Sequence, residues 1–318
     1  MRVSVAMATY NGIAFIQEQL DSIRTQIRCA DEVIICDDCS TDETASLVEK
    51  YILEHQLTAS WKLIRNEQNL GYADNFHKSI AMTTGDVVFF ADQDDIWMKD
   101  KISACLDVLE AHPEIQMLTT DYEPYYCSED APVIAENVLQ RMTGDDRLVP
   151  IPLNQHNVYI DSEGCTMCIR KSFWNRISEY WFPGWAHDEF VWKMAVAEGS
   201  AYCYHHVTLK RRLHSNNVSK RKMRDRMKRA AFFETLEKSH GQMLAYLTAC
   251  GGTKQNRRLL KRNISAVSKR VKLMKDRNVL MVFPLLFRLG TYQYKKSFPV
   301  ELKMALRGAP KKHAGGER

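Results

Sequence analysis

The stretch Gly85-Asp86-Val87-Val88-Phe89-Phe90-Ala91-Asp92-Gln93-Asp94-Asp95-Ile96-Trp97 decides how the chain is read. An apolar run over 87–91, rich in β-branched and aromatic residues, ends abruptly in three carboxylates, Asp92, Asp94 and Asp95. The run has no polar alternation, so it predicts a strand buried on both faces. Open α/β sheets place ligands at the carboxyl ends of their strands, which is where these acids fall. Close like charges repel and need a cation between them. Mg²⁺ typically takes one or two protein carboxylates and completes its shell with water and phosphate oxygens. The first expectation is therefore a metal–diphosphate site. The plainer alternative is that Asp95 or a neighbour caps a helix over 96–111. Capping accounts for one Asp and not for three.

Upstream, 3–7 predicts a short strand and Ala8-Thr9-Tyr10-Asn11-Gly12 a turn. Ile13, Ile16, Leu20, Ile23 and Ile27 then form one face of a helix. Residues 32–36 predict a second strand, closed by Asp37-Asp38. Ser40-Thr41-Asp42-Glu43 has the capping-box form ahead of a helix carrying Leu47, Val48, Tyr51 and Ile52. A third strand over 61–65 leads to Asn66-Glu67-Gln68-Asn69-Leu70-Gly71, and the next helix carries Phe76 and Ile80. Strand–helix alternation of this kind argues for a parallel sheet with right-handed crossovers. The turns at Thr9, Asp38 and Asn69 then share an edge with Asp92 and Asp94. Four strand ends on one cleft suit a nucleotide-type ligand. Neither G-x-x-x-x-G-K-[ST] nor a G-x-G-x-x-G after the first strand occurs, which disfavours a P-loop NTPase and a dinucleotide site.

The 318 residues are 45% hydrophobic and 26% charged, enough for a proper core in one large or two medium domains. The net charge of +5 conceals an asymmetry. Residues 220–318 carry a net +20, and 1–219 a net −15. A basic region of that size predicts a polyanionic partner. Nine cysteines are an odd number, and the first residues run straight into a strand without a signal peptide, so a reducing cytosol is expected. The pairs Cys36/Cys39 and Cys165/Cys168 would form a zinc site only by converging from far apart, and zinc is disfavoured. No apolar run reaches the roughly 20 residues of a membrane span. Downstream, 115–120 and 200–209 predict strands. The stretch 121–159, with four prolines and no clean period, predicts a long functional loop region.

Four groups of residues carry a resemblance: Ala8-Thr9-Tyr10-Asn11-Gly12, Ile35-Cys36-Asp37-Asp38-Cys39-Ser40-Thr41-Asp42, Asn69-Leu70-Gly71 with Asn75-Phe76, and Asp92-Gln93-Asp94-Asp95-Ile96-Trp97. In that order they resemble the family 2 glycosyltransferases of the GT-A fold. Gln93 and Trp97 resemble the rhamnosyltransferase-like branch of bacterial surface polysaccharide assembly. The resemblance covers roughly 1–219. It implies an α/β, Rossmann-like mixed or parallel sheet flanked by helices over 1–219, followed by a basic α-helical region over 220–318.

The resemblance also implies roles. Thr9, Tyr10, Asn11, Asp38, Asn69 and Asn75 would line the nucleotide sugar. Thr9 and Asp38 would meet base and ribose, with Asp38 accepting from the N3–H of uracil or thymine. Taken alone, Asp38 is a turn or cap residue, and an Asn beside Gly is ordinary turn chemistry. Asp94 would carry Mg²⁺ or Mn²⁺, Asp92 would face the ribose or a metal-bound water, and Gln93 would line the nucleotide sugar. Gly164, in Gly164-Cys165-Thr166-Met167-Cys168-Ile169-Arg170, resembles the glycine loop beneath the donor sugar and phosphates, where glycine permits close backbone approach. A strand-initiating turn is the alternative. Asp188 occupies the place of the general base, with His187 where the family has Glu. Without the resemblance it would be an unremarkable helix-N-terminal Asp. The aromatic cluster Trp181 to Trp185 suits sugar binding or simple core. Arg212-Leu213-His214-Ser215-Asn216-Asn217 resembles the closing motif, in which His214 completes the metal shell. Arg211 or Arg212 would pair with the leaving diphosphate.

From 220 onward the pattern is helical and basic. Met223, Met227, Ala230 and Phe233 repeat at helical spacing, Gly251-Gly252 breaks the run, and Leu259, Leu260, Ile264 and Val267 follow. Either the basic residues solvate a helical appendage, or these helices and the 279–289 run dock on anionic lipid. No nucleic-acid module is visible, so no nucleic-acid partner is expected. Residues 311–318 read as a disordered tail. The expectation is an inverting transferase, peripheral at the cytoplasmic face of the cell membrane. It would move a sugar from a nucleotide-diphospho donor to a lipid-linked glycan. The resemblance favours dTDP-L-rhamnose, with a UDP-hexose as alternative. A sugar nucleotidyltransferase would need a Gly-rich, Arg-containing loop after strand one, which 8–12 is not. A silent nucleotide-binding module would lose Asp188.

Overall fold

The computed structural model describes residues 1–215 and 225–306. The chain runs β1 (Val3–Thr9), α1 (Ile16–Arg24), β2 (Glu32–Asp37), α2 (Thr44–Glu54), β3 (Trp61–Arg65), α3 (Tyr72–Met82), β4 (Val87–Ala91), β5 (Ile96–Trp97) and α4 (Lys101–Ala111). It continues with β6 (Met117–Tyr126), α5 (Glu136–Leu139), β7 (Leu148–Pro150), β8 (Met167–Arg170), α6 (Lys171–Ile177), α7 (His187–Glu198) and β9 (Ala201–Leu213). Four further helices follow: α8 (Arg226–Ala249), α9 (Lys254–Lys275), α10 (Val282–Leu286) and α11 (Ser297–Leu306).

Among the described residues nine strands form one sheet, in the order β3-β2-β1-β4-β8-β6-β9-β5, with β7 against β9. β1 pairs in parallel with both β2 and β4, and β2 with β3. β8 runs antiparallel between β4 and β6. The expected α/β architecture, a mixed sheet with a parallel half flanked by helices, is the one observed. The strand β4 is buried over its whole length, as a run without polar alternation requires. Because β1 to β4 are parallel, the turns after Thr9, Asp37, Arg65 and Ala91 open on one edge.

Several local expectations are corrected. No helix spans 96–111. Ile96 and Trp97 pair antiparallel with Lys210 and Leu209, and α4 begins only at Lys101, so Asp95 caps nothing. The capping box is not formed, because the Ser40 hydroxyl donates to Asp37 Oδ2 at 2.6 Å and α2 starts at Thr44. β6 continues to Tyr126 and β9 to Leu213, where the two pair in parallel. Part of the supposed loop region is therefore strand, and Arg211 and Arg212 sit inside β9 rather than after it. Their register shifts between Thr120 and Tyr122, which breaks the period that would have marked the strand.

The chain divides into two compact units. One takes in Met1–Leu153, the chain from Asn157 through β9, and Tyr246–Gly252. The other takes in Asn154–His156, α8 up to Ala245, and Thr253 onward. Within the second unit, Ala230 and Phe233 of α8 and Leu260, Val267, Leu273 and Met274 of α9 are buried. Arg270 lies over the Phe233 and Tyr292 rings, at 4.0 and 4.2 Å, and pairs at 2.7 Å with the buried Glu301. These apolar side chains of α8 and α9 are buried in the protein and are not presented to lipid, whereas Met227 and Phe232 of α8 are exposed. No helix among the described residues is long and apolar enough to cross a membrane. All nine cysteines are free. Asn217, Met223 and the expected tail 311–318 lie outside the described residues.

Candidate active site

The β1–α1 loop is fixed from two sides. Thr9 Oγ1 donates to Asp37 Oδ2 at 2.9 Å. Asn11, at φ +50°, accepts the Thr41 N–H at 2.8 Å and donates its own N–H to Ser40 Oγ at 2.9 Å. The Gln93 carboxamide exchanges two bonds with the Tyr10 backbone, accepting from N at 2.8 Å and donating to O at 3.0 Å. A Cβ at position 12 would overlap that carboxamide, which is why the residue is Gly12. Gln93 therefore locks the first loop to the acidic turn. The Tyr10 ring remains exposed at the loop tip.

Asp38 carries the next loop. Its Oδ1 accepts from Leu70 N at 2.7 Å and Asn66 Nδ2 at 2.8 Å, and its Oδ2 from Gly71 N at 2.8 Å. Oδ2 keeps an acceptor site for a further N–H. Asn69 Nδ2 donates to Asp38 O at 3.0 Å, and Asn75 Nδ2 to Cys36 O at 2.8 Å. Thr9 and Asn75 are buried and bonded to protein atoms. Their side chains brace the ends of β1 and β2.

The three acids of the β4 turn are differently engaged. Asp94 Oδ2 lies 2.8 Å from His214 Nε2. Asp95 is buried; Oδ1 accepts the Arg212 N–H at 2.9 Å, while Oδ2 meets no nitrogen or oxygen donor among the described residues. One ligand atom each from Asp92, Asp95 and Cys165 lie within 4.8 Å of one another. Burial, then the charges of Asp95 and Asp94, push the Asp92 carboxyl well above the usual range. Burial and Asp94 push Asp95 up to about 6. Arg212 donates through Nε to Asp94 O at 2.7 Å and packs on Phe15 and Tyr125, so it fastens the acidic turn to β9. The buried Arg211, paired with Glu163 at 2.7 Å, is the guanidinium whose charge reaches Asp92 and Asp95. Asp95 thus lies within the acidic cluster that the three carboxylates of the sequence predict, and not at a helix cap.

The donor chemistry fits a divalent cation. A carboxylate and an imidazole converge, and buried carboxyls exceed the cationic charge near them. The carboxylate oxygen suits Mn²⁺ or Mg²⁺, and the imidazole nitrogen favours Mn²⁺ over the harder Mg²⁺. The Cys165 thiol is held protonated by burial and by Asp95 and Asp92.

Asp188 stands on the second residue of α7. The preceding His187 ring stacks on Phe76 at 3.9 Å and meets the edge of Phe90 at 5.1 Å. Neither ring nitrogen has a hydrogen-bond partner among the described residues, and burial pushes the imidazole down to about 3. A glutamate here would bury a charge against two phenyl rings, whereas neutral imidazole serves as a flat surface. A Cβ on Gly164 would sit 3.0 Å from His187 Nε2 and 3.2 Å from Asp188 Cβ, so glycine is required by the close approach of α7. Behind this loop the fully buried Lys101 donates to Cys165 O at 2.7 Å, a support that sequence reasoning missed. Burial, with smaller contributions from Glu189 and Glu163, pushes Asp188 up to about 6. Its charge in turn raises Asp92, so the two stand within electrostatic reach of each other. A carboxyl poised near 6 can take a proton near neutral pH.

The family model described as Glycosyl transferase family 2 matches residues 4–177. A dTDP-rhamnosyl transferase of Shigella flexneri is 38% identical over 107 residues, 32% of this chain and 36% of that protein. The chain spans 36% to 41% of the length of three curated relatives. Staphylococcus aureus TarS, solved with UDP-GlcNAc, superposes with a TM-score of 0.63 at 17% identity, covering 95% of this chain and 91% of that one. A mannosyltransferase of Pyrobaculum calidifontis, solved with GDP-Man and Mn²⁺, gives a TM-score of 0.50 at 17% identity, covering 96% and 84%. At those identities the likeness to the solved structures is one of fold. With more than half its length matched by the family model, the chain belongs to glycosyl transferase family 2.

Proposed function

We propose that the chain is a metal-dependent inverting glycosyltransferase. It moves a sugar from a nucleotide-diphospho donor to a hydroxyl of a lipid-linked glycan in bacterial surface polysaccharide synthesis. The observation that carries this is the pairing of two features in one cleft: Asp188 pushed up to about 6, and the Asp94–His214 pair. The donor we favour is dTDP-L-rhamnose, supported by the likeness to the Shigella rhamnosyl transferase. A UDP-linked hexose or N-acetylhexosamine is the second reading, supported by the fold shared with TarS, which was solved with UDP-GlcNAc.

Asp94 and His214 would hold a divalent ion such as Mn²⁺ or Mg²⁺, and that ion, when bound, neutralises charge on the departing diphosphate. The mannosyltransferase solved with Mn²⁺ supports that choice. The exposed Tyr10 ring offers a face for the base, and the free acceptor site of Asp38 Oδ2 suits a ring N–H. Arg211 balances the buried acids. Asp188 accepts the proton of the acceptor hydroxyl as that oxygen attacks the anomeric carbon. The bond from that carbon to the diphosphate oxygen breaks on the opposite face, through an oxocarbenium-like transition state. One displacement inverts the configuration and needs no enzyme nucleophile. The acceptor would bring the protein to the inner face of the cell membrane as a peripheral protein.

The test is donor binding by ligand-observed NMR with Mg²⁺ or Mn²⁺, across dTDP-rhamnose, UDP-galactose, UDP-glucose and UDP-N-acetylglucosamine. Metal-dependent binding of one of them is expected. Binding of none, with either metal, would contradict the proposal.

A further inference from the structure

The second unit leaves one apolar face uncovered. A 3₁₀ turn over Val279–Met281 leads into α10, and this segment buries only Leu285. Leu280, Phe283 and Phe287 are 76%, 70% and 72% exposed, and Val279 and Leu286 are exposed beside them. The Phe283 and Phe287 rings touch each other at 5.4 Å, edge to face, on the outside of the protein. Five large apolar side chains within nine residues is a contiguous patch, and such patches mark contact surfaces.

The charge around the patch says what it meets. Residues 277–300 carry four Lys and Arg and no Asp or Glu. Residues 253–306 carry 14 Lys and Arg against two acids, and one of those, Glu301, is buried on Arg270. Arg288 donates to Arg262 O at 3.4 Å, which sets α10 beside the middle of α9. There Lys269, Lys272 and Arg288 crowd one another, and Lys269 is held below its usual range by burial, then by those two charges. Among the described residues none of these three is paired with a carboxylate. Exposed aromatic and aliphatic side chains rimmed by unpaired cations are the chemistry of a bilayer interface rather than of a nucleic acid.

We propose that this unit docks on an anionic membrane through the 279–289 segment, with Leu280, Phe283 and Phe287 entering the headgroup–acyl boundary and Lys269, Lys272 and Arg288 facing lipid phosphates. The proposal deepens the membrane-held acceptor reading above. It replaces the apolar faces of α8 and α9 with a segment whose side chains are free.

The test is co-sedimentation of the full chain with vesicles of phosphatidylcholine alone, or with about a third phosphatidylglycerol. The wild type is expected to bind the anionic vesicles, and less as salt rises. F283S/F287S should lower the bound fraction about tenfold or more. K269Q/K272Q should lower it less, and only on anionic vesicles. Circular dichroism and donor binding are measured on every variant. Unchanged folding and donor binding with lost sedimentation would support the surface without testing the transferase reading. Equal sedimentation of wild type and F283S/F287S would overturn the proposal, as would no sedimentation of the wild type. A drop in mass from dimer to monomer on F283S/F287S, without lipid binding, would show that the patch pairs two copies and would equally overturn it.

Discussion

His214 Nε2 stands 2.8 Å from Asp94 Oδ2, although 120 residues of sequence separate them. β5 and β9 make the meeting possible. Their antiparallel pairing brings the end of β9 back across the acidic turn, and Arg212 ties the two together through Asp95 Oδ1 and Asp94 O. If the pair holds the metal, His214→Ala should raise the Mn²⁺ concentration for half-maximal activity about 10–100-fold. Asp94→Ala should leave no metal-stimulated activity. An unchanged Mn²⁺ titration of both variants would remove the pair from the metal site.

Asp188 must be ionised to accept a proton. Its carboxyl is pushed up to about 6, so the ionised fraction falls as pH drops through that value. kcat/KM should be level above about pH 7 and fall about tenfold per pH unit well below 6, under metal saturation. A profile level down to pH 4.5 would mean that another group takes the proton.

Gly164→Ala tests the close packing of the glycine loop on α7. The added Cβ would crowd His187 Nε2 and Asp188 Cβ, and the His187 ring is already stacked on Phe76. The start of α7 must then shift. A displacement of that kind at a catalytic carboxyl costs about 10²-fold in kcat. The measurement is kcat and donor affinity together, with affinity expected to change far less.

Asp38→Asn separates support from recognition. The carboxylate accepts from Leu70 N, Gly71 N and Asn66 Nδ2, and an amide would turn a donor toward one of them. A loss of about 1–3 kcal/mol of stability is expected, read by denaturant unfolding. Weaker nucleotide binding with no loss of stability would assign Asp38 to the base alone.

Much of the first unit was legible in the sequence. The runs 3–7, 32–36, 61–65 and 87–91 are apolar throughout and closed by polar turns, so β1 to β4 and their shared edge could be read almost residue by residue. The far ends of β6 and β9 could not be, because those ends pair with each other across more than 80 residues and the register slips at Asp121. Asp188 and Gly164 were readable only through the resemblance; their mutual approach is a tertiary fact. The hold of the Gln93 amide on the Tyr10 backbone is likewise a tertiary fact, with no signal in a glutamine between two acids. Lys101 gave no signal, since a lone lysine opening a helix reads as solvated. Helical spacing revealed α8 and α9 but not what their apolar faces cover. The same period serves a core or a bilayer, and here it serves a core.

The central claim is that Asp188 acts on the acceptor while the donor is held elsewhere. The most direct test compares the wild type with Asp188→Asn in two readouts on one preparation: donor binding by ligand-observed NMR with Mn²⁺, and sugar transfer into a lipid-linked glycan. Donor binding should stay within about twofold while transfer falls about 10³-fold or more. Loss of donor binding in Asp188→Asn, or transfer near the wild-type rate, would contradict the account.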